Sequence, residues 1–103
     1  MYFVGIDISK FKHDCFITTE SGEFVINSFS ITNDNDGFQE LLSVLKSLDS
    51  SQEIRIGFEA TAHYALNLKL FLEKAHYSFM ELILFFLRSS TNLKLYGVPK
   101  PMP

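Results

Sequence analysis

Cysteine is nearly absent from this chain: Cys15 is the single one in 103 residues. That excludes an internal disulfide and fits a reducing compartment. Tryptophan is missing, and the three prolines all fall at the end, as Pro99, Pro101 and Pro103. Positive charge is short, with nine Lys and Arg against twelve Asp and Glu, a formal net charge of −3. A free-standing nucleic-acid binder usually shows the opposite balance. No long hydrophobic run exists; "LILFFL" from Leu82 to Leu87 is far below the roughly 20 residues of a membrane helix. The opening "MYFVGIDISK" has an acid inside its apolar run and no basic segment before it, so it is not a signal peptide. Repeats and low-complexity tracts are lacking too. The expectation is a cytoplasmic chain with no membrane partner.

What is present reads as one globular domain. The chain is 47% hydrophobic and 20% charged, with 11 Phe, and a chain of this length buries about two-thirds of its unfolded surface. "YFVGIDIS" reads as a buried central strand. "HDCFITT" and "FVINSFSI", joined through the Ser-Gly of "ESGE", read as a hairpin. Asp34, Asn35 or Asp36 can cap a helix in which Phe38, Leu41, Leu42, Leu45 and Leu48 recur at helical spacing. "EIRIGFEA" is a fourth strand, "HYALNLKLFLEKA" a second helix, and "YSFMELIL" the start of a fifth strand. The order βββαβαβ, a meander followed by crossovers, predicts an α/β fold with a ribonuclease-H-like (RuvC-like) mixed sheet, incomplete at the C-terminus.

Two acids break the apolar pattern. Asp7 lies inside the first strand and Glu59 ends the fourth, in matched contexts Gly5-Ile6-Asp7 and Gly57-Phe58-Glu59. A buried, unpaired carboxylate is costly, so each is expected to have a partner, a proton or a metal. With a side-chain period of two, each glycine shares a face with its acid, leaving room for an ion or a close backbone approach. If strands one and four are neighbours, the carboxylates converge, and hard cations such as Mg²⁺ favour such oxygens. Taken singly, the acids have plainer explanations: Asp7 accepting backbone hydrogen bonds at a strand end, Glu59 capping the following helix. His13 beside Asp14 is expected at a solvated strand end, Cys15 as a small core hydrophobe, and "KFK" (10–12) is too short for a nucleic-acid patch.

"VGIDISKFKHD" followed by "GFEATAHYALNLKLFLEKAHY" closely resembles the start of the DEDD transposases of the IS110 insertion-sequence family, from Tyr2 to about Leu82. By position Asp7 matches the family's first acid and Glu59 its second; Lys10, His63 and Tyr64 match motif positions, and Ala62 stands where the family commonly has Gly. The resemblance implies a RuvC-like domain (1–82) that cleaves and exchanges DNA strands in transposition. It also implies Mg²⁺ on four acids, Asp7 and Glu59 among them, DNA and a guide RNA as partners, and a further C-terminal domain with a nucleophilic serine. Neither Asp14 nor Asp36 matches a later acid.

From Ile83 the resemblance fades. The family would continue with Asn-Pro and reach a Lys-Thr-Asp segment bearing its third acid. Codons for Pro99-Lys100-Pro101-Met102-Pro103, regrouped from the third base, can spell Lys-Thr-Asp-Ala. Residues 83–103 are therefore read as a frameshifted, poorly ordered tail whose apolar start could promote self-association. The fragment is expected to bind metal weakly and to be inactive alone. Two rivals stand beside this reading. "GIDIS" is similar to the first phosphate loop of actin-like ATPases, though Ser9-Lys10 replace the expected Gly-Thr type and a second loop is missing. The other is a non-catalytic RNA-binding remnant.

Overall fold

Alternation of apolar and other residues builds the strands. The computed structural model describes residues 1–59, 62–83 and 92–96. Strands β1 (Tyr2–Ile8), β2 (Lys12–Thr19) and β3 (Phe24–Thr32) form an antiparallel meander. Helix α1 (Asn35–Lys46) then leads to β4 (Ile54–Glu59). A single 3₁₀ turn, Ala62–Ala65, opens helix α2 (Leu66–Lys74), and β5 (Phe79–Ile83) follows. A sixth strand, β6 (Asn92–Tyr96), pairs antiparallel with β5. Among the described residues the sheet runs β3-β2-β1-β4-β5-β6, with β1 parallel to β4 and β4 parallel to β5.

The order expected from periodicity is present, with two differences. The second helix begins as a 3₁₀ turn, so regular α-helix starts only at Leu66. Strand β6 lies in the segment expected to hold little stable structure, where Leu93-Lys94-Leu95 carries a strand's alternation. The rest of the proposed tail, 84–91 and 97–103, lies outside the described residues.

One face of the sheet carries the core. Val4, Ile6 and Ile8 of β1, Cys15 and Ile17 of β2, Ile56 and Phe58 of β4, and Phe79 of β5 are buried together. Phe38, Leu41 and Leu45 of α1 and Leu68 and Leu72 of α2 close over them. Each such side chain contributes about 1.5–3 kcal/mol when fully buried. Phe58 and Phe79 stack at 5.4 Å, and Phe38 meets Phe71 of α2 at 5.4 Å. Glu81 of β5 also faces this side, 5% exposed, and takes an ion pair from Lys69 of α2 at 3.2 Å. The opposite face carries Phe3, Phe16 and Phe24, all exposed. The first strand is therefore central, as expected, and its burial is confined to this one face.

The helix ends follow from local chemistry. Asp34, in extended backbone, caps α1 by accepting the Gly37 N–H at 2.9 Å. It also accepts the Thr32 hydroxyl at 2.6 Å. These bonds, Thr32's first, hold its carboxyl below the ordinary value of 3.8. Helix α2 ends in a Schellman arrangement: His76 N–H donates to Glu73 O (3.1 Å) and Tyr77 N–H to Leu72 O (2.9 Å). His76 takes the left-handed position, φ 65°, that glycine usually fills.

Candidate functional site

The two acids come from the strands' open parity. In β1 the core takes Val4, Ile6 and Ile8, so Phe3, Gly5 and Asp7 face the other way. In β4 the core takes Ile56 and Phe58, leaving Gly57 and Glu59 on that same open face. The parallel register pairs Gly5 with Gly57 and Ile6 with Phe58. One step further along both strands stand Asp7 and Glu59. The structure thus brings the two acids to neighbouring positions at the C-terminal ends of adjacent strands, about 4.8 Å apart in backbone spacing.

Three expectations about this site need correction. Asp7 and Glu59 are exposed, so burial does not force a partner on either. The physical reason is that both helices pack on the other face. The space beside Gly5 is also taken: a Cβ there would sit 2.3 Å from the Phe16 ring. Phe16 of β2, paired opposite Gly5, lays its ring across the glycine. Only Gly57 keeps open room, its nearest atom being Met80 O at 3.8 Å. Finally, His13 is fully buried rather than solvated. It shares parity with Cys15 and Ile17 and stacks 6.5 Å from Phe38. Burial lowers its pKa from the ordinary 6.5, against the opposing pull of Asn33, Asp14 and Asp7. Cys15 behaves as the core hydrophobe expected, its thiol pushed up to about 12 by burial.

The antiparallel pairing sets Asp14 directly across from Asp7, so Asp14, Asp7 and Glu59 follow one another over three adjacent strands. Asp14 accepts the hydroxyl of Ser30 on β3. Among the described residues no group of three or more His, Cys, Asp or Glu side chains is close enough to hold a metal ion. The donor set nonetheless fits a hard cation that keeps most of its water, since Mg²⁺ is commonly held by one or two carboxylates and substrate phosphates. Lys10 is exposed, with its ammonium 5.2 Å from the Phe11 ring centre. His63 is exposed, while Tyr64 is half-buried against the core, the two rings edge-on at 6.4 Å.

Asn33, which sequence reasoning missed, joins the surroundings of these acids. Its amide nitrogen donates to Lys10 O at 3.0 Å and to Tyr64 O at 3.3 Å. Its Oδ1 meets His13 Nε2 at 3.1 Å. No local pattern announces such a residue, because its partners lie 20 to 31 positions away.

An antiparallel meander continued by parallel crossovers, with paired acids at the ends of β1 and β4, defines a ribonuclease-H-like domain. A model of the DEDD transposase family of IS110 elements, described as "Transposase", matches residues 4–89. The chain belongs to that family. No curated protein matches it. Among solved structures it is similar to a Ppx/GppA family member of Aquifex aeolicus, at 19% identity over 73% of this chain and 31% of that one, TM-score 0.38. The type II variant of the Aquifex aeolicus Ppx/GppA phosphatase gives 12% identity over 81% and 36%, TM-score 0.42. The chain spans about a third of the length of these structures. Likeness at this level says nothing about shared activity. Among the described residues no helix is long and apolar enough to cross a membrane.

Proposed function

We propose that this chain is the acid-bearing N-terminal part of a DEDD transposase, acting on DNA in transposition, with Asp7 and Glu59 as ligands to a divalent cation. One observation carries the reading: both carboxylates lie on the same open face, two residues past the in-register Gly5–Gly57 pair of adjacent parallel strands. A bound Mg²⁺ supplies activation of water and neutralisation of phosphoryl charge. The chain's own part is to fix two oxygen donors side by side on a sheet, a more rigid support than a loop. The open room at Gly57 gives a phosphate or a water access between the strands. DNA and a guide RNA are the partners this reading carries, and cytoplasm the compartment. With two of the four acids that the family resemblance implies, the 103-residue chain is expected to bind the cation weakly and not to cleave DNA alone. The frameshift reading of 83–103 belongs to the same proposal. Resequencing the locus tests it, a long shifted frame encoding Lys-Thr-Asp supporting it and closed frames in every register removing it.

The metal claim is tested by titrating the chain with Mn²⁺ and following paramagnetic broadening of amide signals. Broadening is expected to centre on Asp7 and Glu59, and Asp7→Asn with Glu59→Gln should weaken it at least about tenfold, as loss of charged ligands demands. Broadening centred elsewhere, or unchanged in the double variant, overturns the assignment.

A further inference from the structure

The chain leaves the open face at two points, and one side chain grips both. One residue after Asp7, at Ile8, β1 ends and the turn Ser9–Phe11 leads into β2; after Glu59, β4 ends and the chain reaches the 3₁₀ turn Ala62–Ala65. Asn33 stands between them at the end of β3. One Nδ2 hydrogen goes to the carbonyl of Lys10, three residues beyond Asp7, and the other to the carbonyl of Tyr64, five beyond Glu59. Its own N–H donates to Phe11 O at 2.9 Å, a second hold on the same turn.

The amide's orientation is fixed from the third side. Ser9 N–H donates to His13 Nδ1 at 3.3 Å, so that nitrogen is the acceptor and the ring proton sits on Nε2. Nε2–H then donates to Asn33 Oδ1. A flipped amide would set an oxygen against two carbonyls and an N–H₂ against an N–H. His13 is itself buried and stacked on Phe38 of α1. Donors and acceptors of the cluster are thus matched, and no buried side-chain polar atom among the described residues lacks a partner.

We propose that Asn33, oriented by His13, is a positioning residue: it sets the separation of the chain exits behind Asp7 and Glu59, and through them the spacing of the two carboxylates. The inference rests on the metal-binding reading for its purpose, not for its geometry. Side-chain amides commonly tie loops to a sheet; here the tied segments are the two that follow the candidate ligands. The neutral Asn also adds no charge beside His13, which already feels Asp14 and Asp7. A carboxylate there would face the Lys10 and Tyr64 carbonyls without a proton to offer.

The test uses the full chain and two readouts. Amide hydrogen exchange in Asn33→Ala should accelerate at least tenfold both around residues 8–13 and around 62–66, with the distant Thr19–Glu23 turn unchanged. Asn33→Asp, which keeps the acceptor and loses both donors at neutral pH, should reproduce that pattern. Acceleration spread evenly over the chain, or confined to one of the two segments, overturns the proposal. The second readout is Mn²⁺ affinity, compared with Leu45→Ala, a core substitution on α1 of at least equal destabilisation. Asn33→Ala should weaken Mn²⁺ binding about tenfold and Leu45→Ala should leave it near wild type. Equal affinity in Asn33→Ala and wild type also overturns the proposal. If the wild-type chain binds no Mn²⁺, the metal reading fails, and the exchange pattern alone decides whether Asn33 couples the two exits.

Discussion

Gly5 and Gly37 show how differently two glycines can matter. Beside Gly5 an added methyl meets the ring of Phe16, an exposed side chain free to swing away. Beside Gly37 it meets backbone, with Thr32 O at 1.9 Å, because α1 starts directly against the end of β3. Gly5→Ala is therefore expected to cost under about 1 kcal/mol and Gly37→Ala about 3 kcal/mol or more, as overpacking against atoms that cannot yield. Urea denaturation of both variants checks the contrast, and equal losses would contradict it. The same pair explains what the chain's residues disclose. Asp7 and Glu59 stood out because charge interrupts apolar runs, and their matched glycines suggested a shared face. Their exposure could not be read locally, since nothing in β1 says on which side two distant helices will lie. His13 carried a usable signal, its parity with Cys15 and Ile17, obscured by the neighbouring Asp14.

The helices and strands were largely legible because each has a period. Phe38, Leu41 and Leu45 mark the buried stripe of α1, and Ile56 with Phe58 mark the core side of β4. Boundaries were less so. The start of α2 depends on a 3₁₀ turn tied by its Tyr64 carbonyl to Asn33, a contact made across 31 residues. The end of α2 offers a direct test of helix termination. His76 holds φ 65° with a Cβ, which costs an L-residue about 1–2 kcal/mol relative to its right-handed form. Glycine removes that cost and adds some backbone entropy to the unfolded chain. His76→Gly is expected to raise stability by roughly 0.5–1 kcal/mol, read as a higher urea midpoint with unchanged slope. A lower midpoint would mean the imidazole has a stabilising role that outweighs the backbone strain.

For the molecule as a whole, His13 couples stability to pH. Burial makes the neutral ring the folded form, and Ser9 N–H needs its lone pair. The folded pKa lies below 6.5, so the unfolded chain takes up the proton first as pH falls. The stability from this group is complete above pH 6.5, declines as the pH drops below it, and stops declining beneath the folded value. Denaturation at pH 7.5 and 5.5 should show a lower midpoint at the acid value, and His13→Gln should flatten the difference. An unchanged slope in that variant would place the effect elsewhere.

The pairing of β1 with β4 has a kinetic consequence as well. Gly5 and Gly57 meet across half the chain, whereas β1, β2, β3 and α1 join sequential neighbours. Contacts of long sequence separation carry the loop-closure cost and tend to slow folding. During synthesis the meander can pair before residue 59 has left the ribosome, so Asp7 waits on a finished surface until the strand bearing Glu59 arrives. The candidate ion site is then a product of late docking. A cation held between those strands would lengthen the life of the folded chain by slowing the departure of β4, without hastening its arrival.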